Sequence, residues 1–193
     1  MIKPTLKNLQ KWWFEYWVVA LAILAVTFVA LESVARMEAA FAVAFAALAL
    51  VVAKIDLERF EIPDLANISI FILGICWVGA SSFKLGEDIL AALLRALAAG
   101  FFLWAVRAIY GRIRKIEGLG WGDVKLAAAG GVWLAWPQMP AALLLAAVAG
   151  ILAAAVQGLH ARKIPSGQTA IPFGTMLAPS IWIVWFGGLI GIL

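Results

Sequence analysis

Residues 141–160 read AALLLAAVAGILAAAVQGLH, twenty positions with no acidic, lysine or arginine side chain. A helix of that length rises about 30 Å, the thickness of a bilayer's hydrocarbon core. The same kind of run recurs along the chain. Apolar stretches at about 17–35, 39–55, 65–82, 88–110, 123–139, 141–160 and 175–193 are separated by short clusters of charge or turn residues. Of the 193 residues 65% are hydrophobic and 13% charged, with a mean hydropathy of +1.02. Soluble domains carry about 25% charged residues. This chain cannot cover itself with polar side chains, so its partner is a lipid bilayer. The expected fold class is an all-α polytopic membrane protein of about seven transmembrane helices.

No linker or low-complexity tract interrupts the pattern, and the length fits one domain, 1–193, with 1–16 as an interfacial N-terminal segment. That segment places Lys3, Lys7 and Lys11 before Trp12, Trp13, Tyr16 and Trp17, a pairing suited to headgroup level. With a cytoplasmic N-terminus, twelve of the fifteen basic residues fall on the cytoplasmic side. These include Lys54, Arg59, Arg107, Arg112, Arg114, Lys115 and Lys125. Arg36 and Lys84 fall on the other side and Arg95 inside a span, which is the positive-inside distribution. Basic residues that follow topology in this way argue against a nucleic-acid partner. Small residues every fourth position (Ala127, Gly131 and Ala135; Ala146, Gly150, Ala154 and Gly158) suit close helix packing in lipid.

Three polar segments lie on the expected cytoplasmic side. In Lys54 to Asp64, Asp56 ends a span, Pro63 disfavours helix at Ile62, and Asp64 stands where a helix N-cap is expected. The alternative for Asp56 is a helix-end carboxylate wetted by headgroups. In Gly118-Leu119-Gly120-Trp121-Gly122-Asp123-Val124-Lys125-Leu126, alternate glycines allow close backbone approach, and Asp123 falls in the first turn of the next helix. Its alternative is a glycine-rich turn with an N-terminal cap. The third segment, 161–175, holds two prolines and two glycines and is either a flap or a connector.

Other chemistries lack their residues. No Gly-x4-Gly-Lys-Ser/Thr loop, metal-spaced His/Cys cluster or nucleophile elbow is present, and Cys76 is the one cysteine. No cofactor or metal is expected. Two aspartates remain, on different helices at one membrane depth. Two carboxylates in a site of low polarity share a proton: the ionised one activates water while the protonated one polarises a carbonyl. Such a pair titrates as a unit. The run from Asp123 to Pro137 is short for a ~30 Å crossing, so its helix is expected to begin recessed, around a wet cavity.

Three blocks appear in order: Ile55-Asp56 with Ile62-Pro63-Asp64, then the glycine segment through Leu126, then Ile171-Pro172-Phe173-Gly174. In this the chain resembles the type IV prepilin peptidases, Gly-x-Gly-Asp intramembrane aspartyl proteases. The resemblance implies an aspartic endopeptidase of the cell inner membrane, with Asp56 and Asp123 catalytic and facing the cytoplasm. It implies a pilin-like precursor as substrate, with a short basic leader ending in glycine before a hydrophobic helix. The residues shaping the site or meeting substrate would be Pro63, Asp64, Gly120, Gly122, Lys125, Pro172, Phe173 and Gly174. Glu58, Glu61 and Glu117 could meet the basic leader. Two departures stand out. The single cysteine lacks the cysteine-pair region associated with N-methylation, which points to the peptidase-only form, and Thr175 replaces the common proline. Presenilin-like proteases share the Gly-x-Gly-Asp idea, but Leu177-Ala178-Pro179 reverses their Pro-Ala-Leu motif. The alternative from another class is a non-catalytic assembly factor or small transporter, for which intramembrane Arg95 would be the signal.

Overall fold

The computed structural model describes residue 25 and residues 36–81, 84–115, 118–161 and 172–192, with backbone alone over 156–161. Among them the regular structure is helical, in six helices: α1 (Arg36–Arg59), α2 (Asp64–Ser81), α3 (Leu85–Arg114), α4 (Trp121–Gly131), α5 (Gln138–Ala161) and α6 (Phe173–Leu189). Four of these, α1, α2, α3 and α5, are long and apolar enough to cross a membrane, and α6 is a shorter apolar helix of 17 residues. The expected span at 17–35, the 1–16 segment and most of 161–175 lie outside the described residues.

The helices present apolar side chains outward, as a bilayer-embedded bundle must. Leu97, Phe101, Leu144, Ile151 and Leu152 are all exposed. The interior is knit by aromatic contacts. Phe45 stacks on Trp133 at 4.2 Å, and Trp133 meets Trp185 edge-on at 4.8 Å. Two indoles find backbone acceptors: Trp133 Nε1 donates to the Ile70 carbonyl at 3.0 Å, and Trp182 Nε1 to that of Ala42 at 2.9 Å. Helix α3 packs along α4, and α6 lies between α1 and α5.

The sequence reading expects one run over 123–139, and the structure divides it. Helix α4 stops at Gly131 after 11 residues, about 16 Å, and the chain turns before α5 begins at Gln138. The glycine pair Gly130-Gly131 weakens the helix, and Pro137 disfavours helix at Trp136. Gly131 also lies close against α3: a Cβ there would stand 2.8 Å from the Arg95 carbonyl oxygen. Of the small-residue stripe on this run, Ala127 and Gly131 are buried, while Ala135 lies beyond the helix and is exposed.

Candidate active site

Helix α1 ends three residues past Asp56. Phe60 takes a left-handed φ of 55° and its N–H donates to the Asp56 carbonyl at 2.8 Å, the αL way of closing a helix. After this four-residue link α2 starts on Pro63, whose carbonyl accepts from Ala66 N at 3.0 Å and Asn67 N at 3.3 Å. Asp64 is therefore the first residue of α2 rather than its cap. Its Oδ1 instead receives Lys125 Nζ at 2.6 Å, pinning α2 to α4.

Asp56 is 5% exposed, so it is enclosed and not wetted by headgroups. Its Oδ2 accepts from the Thr175 backbone N–H at 2.7 Å and lies 3.1 Å from Thr175 Oγ1. The same hydroxyl stands 3.0 Å from the Ala53 carbonyl. A hydroxyl has one proton, so Thr175 can donate to Ala53 and accept from a protonated Asp56, or donate to an ionised one. Pro179, inside α6, lacks the N–H that would bond the Thr175 carbonyl four residues earlier and so loosens this first stretch of α6.

Asp123 is 8% exposed and sits in the first turn of α4. Its Oδ2 accepts from the Gly120 N–H at 3.1 Å, the reach-back half of a capping box. Thus the structural explanation for Asp123 is correct for one oxygen. The other, Oδ1, is buried and has no partner among the described residues. Asp123 lies within electrostatic reach of both Asp56 and Arg107.

Ile62 sits between the starts of α4 and α6. A Cβ on Gly122 would stand 3.0 Å from Ile62 Cβ, and one on Gly174 would stand 2.5 Å from Ile62 Cδ1 and 3.1 Å from Asp56 Oδ2. These two glycines are therefore where α4 and α6 approach the Ile62-Pro63 link. Pro172 is buried ahead of α6 and Phe173 is half-buried. Gly120 is exposed, as are Glu58 and Glu61; Glu117 and Ile171 lie outside the described residues. The structure gathers Asp56, Asp123, Pro63, Asp64, Gly120, Gly122, Lys125, Pro172, Phe173 and Gly174 at one end of the bundle.

Two supports of the site, and one buried polar side chain in α2, were not singled out from sequence. Arg107 of α3 donates from Nη1 to the Leu119 carbonyl and lies 4.9 Å from the Trp121 ring, bracing the glycine segment from outside. In the sequence it reads as a topology charge, and Thr175 as a departure from the common proline. Asn67, buried one turn into α2, has both amide atoms without a partner among the described residues. An Asn within an apolar run was the available signal.

Fold and site together define a polytopic helical membrane protein with two enclosed aspartates, in electrostatic reach of each other, on helices far apart in sequence. The model of the type IV leader peptidase family matches residues 43–155, and the chain belongs to that family. Over 143 residues it is 35% identical to a prepilin leader peptidase/N-methyltransferase of Burkholderia pseudomallei (strain 1026b), covering 72% of this chain and 43% of that protein. Similarly named proteins of Stutzerimonas stutzeri and Aeromonas hydrophila are 33% and 32% identical, over 72% and 69% of this chain and 46% and 44% of theirs. The chain thus spans less than half the length of these relatives. No solved structure matches it.

Proposed function

We propose that this chain is an intramembrane aspartic endopeptidase that cuts the short basic leader from type IV pilin-like precursors, using Asp56 and Asp123. The observation that carries the reading is the asymmetric pair: two enclosed carboxylates in mutual electrostatic reach, one of them with a buried oxygen unpartnered among the described residues. A buried polar atom without a partner costs about 1–3 kcal/mol and is retained where function needs it. The relatives' printed names supply the reaction class and, through it, the substrate.

In the reaction, the ionised member of the pair takes a proton from water as the water oxygen attacks the scissile carbonyl carbon. The protonated member donates to the carbonyl oxygen. Collapse of the tetrahedral species breaks the C–N bond as the proton taken from water passes to the leaving amine, and a hydroxyl of the gem-diol returns its proton to the other carboxylate, regenerating the dyad. No covalent intermediate is needed. Thr175 fits either protonation state of Asp56, as its hydroxyl geometry allows.

The finer topology belongs to the same proposal: one domain, seven spans, a cytoplasmic N-terminus and a site on the cytoplasmic side of the inner membrane. Its support is the charge at the aspartate end, where Lys54, Arg59, Arg112, Arg114, Lys115 and Lys125 are exposed. Glu58 and Glu61, exposed beside the Ile62-Pro63 link, offer opposite charge to a basic leader. The peptidase alone is proposed, because the one cysteine gives no cysteine pair for the methyl-transfer region.

The test is to reconstitute the full chain in liposomes with a panel of pilin-like precursors and weigh the products. A cut after the leader glycine supports the reading. Intact precursors throughout, with folded enzyme present and a known prepilin peptidase trimming the same panel, would favour the non-catalytic assembly role.

A further inference from the structure

Helix α3 carries Arg95 in a membrane-crossing span, and the proposed cleavage makes no use of it. Gly131, where α4 ends, lies against the Arg95 backbone, eight residues and about 12 Å along α4 from Asp123. Beyond that level α3 continues ten more residues toward Leu85, about 15 Å, with no α4 beside it. Two cavities occupy this end of the bundle, of about 250 and 270 Å³, and they share Arg95 and Trp133. Gln138 and Trp185 line the first; Ser81 and Asp88 line the second.

An ionised group inside a span is a functional-site hypothesis by default, because leaving it there unserved is costly. Arg95 Nε is buried without a partner among the described residues, and the Asp88 carboxylate acts on the guanidinium electrostatically. Gln138 is held in place: its Oε1 accepts from Ala135 N at 2.9 Å, which keeps the first cavity's polar wall fixed. Each cavity is below the ~300–1,000 Å³ of drug-sized ligand sites, so it suits a headgroup and not a whole lipid.

We propose that Arg95 and Asp88 hold a zwitterionic phospholipid headgroup, its phosphate on the guanidinium and its amine on the carboxylate, in the crevice left where α4 ends. Guanidinium and phosphate match in geometry, with parallel N–H donors meeting phosphate oxygens. Asp88 at the rim opposes a headgroup of net negative charge and favours one carrying a primary amine. Basic pockets between transmembrane helices take the phosphates of lipid headgroups, and the Asp88 carboxylate adds a partner for an amine. Acyl chains would run along α3 toward Phe102, which is exposed and lies two turns from Arg95 on the same helix face. The site stands apart from the aspartates and does not depend on the peptidase reading.

The experiment is native mass spectrometry of the full chain in detergent, titrated separately with phosphatidylethanolamine, phosphatidylglycerol, diacylglycerol and inorganic phosphate. Wild type should retain one phosphatidylethanolamine, with affinity falling about tenfold or more in Arg95→Gln, as expected for loss of a charge-assisted pair. In Asp88→Asn, a change at an exposed position, the preference for phosphatidylethanolamine over phosphatidylglycerol should level out. Equal retention by wild type and Arg95→Gln would overturn the proposal, as would diacylglycerol binding as tightly as the phospholipid. Displacement of the lipid by inorganic phosphate would make this a free-anion site and overturn the lipid assignment. If Arg95→Gln does not fold, an unchanged headgroup preference in Asp88→Asn overturns it alone.

Discussion

The two aspartates are held in opposite ways. Asp56 closes a long helix and is gripped from across the bundle: Thr175, 119 residues away in sequence, offers it an N–H and a hydroxyl. Asp123 opens a short helix and, among the described residues, is held locally, by Gly120 three residues back, with its second oxygen unpartnered. The glycine segment that carries Asp123 is itself steadied from α3 by Arg107. One carboxylate is thus positioned by tertiary structure and the other by a turn with an outside brace. Pre-organised groups suit the role of fixed partner, and a carboxylate with an open oxygen suits contact with water or substrate.

That contrast can be broken from either side. The largest effect short of removing a carboxylate should come from Gly174→Ala, whose Cβ would meet Asp56 Oδ2 and Ile62. Displacing a reacting group by an ångström costs on the order of 10²-fold, so kcat for leader cleavage should fall by that order while the protein still folds. On the Asp123 side, Arg107→Met should lower kcat roughly tenfold by releasing Leu119 and Trp121. Arg107→Lys, which keeps charge but not the planar fork, should fall between. Thr175→Val removes the hydroxyl and keeps the N–H, so a loss of about 2- to 10-fold is expected, with Thr175→Ser near wild type. The smallest change should be Lys125→Met. Its ion pair with Asp64 is more than half exposed at both side chains, and a thermal or denaturant melt should register at most about 1 kcal/mol. A larger loss from Thr175→Val than from Gly174→Ala would reverse the assigned order of supports.

The four long spans were legible because lipid imposes a simple rule, and long apolar runs can satisfy it in one way. The aspartates were legible because each is embedded in a glycine- or proline-marked segment that no ordinary span requires. Less was legible where contacts cross the bundle. Nothing local ties Thr175 to Asp56 or Arg107 to Leu119, and both side chains had simpler readings. Asp64 looked like a cap because it follows a helix break, yet the carbonyl of Pro63 serves α2 and the carboxylate is left for Lys125. The early end of α4 was partly visible in Gly130-Gly131, but an apolar composition on both sides hid it.

The most direct measurement compares leader cleavage by wild type, Asp56→Asn and Asp123→Asn in liposomes, with folding of each verified by its melt. Each substitution keeps the shape and removes the general acid–base capacity, a contribution typically of about 10²–10⁴-fold. The account predicts that both variants fold and that neither trims the precursor at a rate within about 10²-fold of wild type. Cleavage at near wild-type rate by either one would contradict the paired-aspartate site.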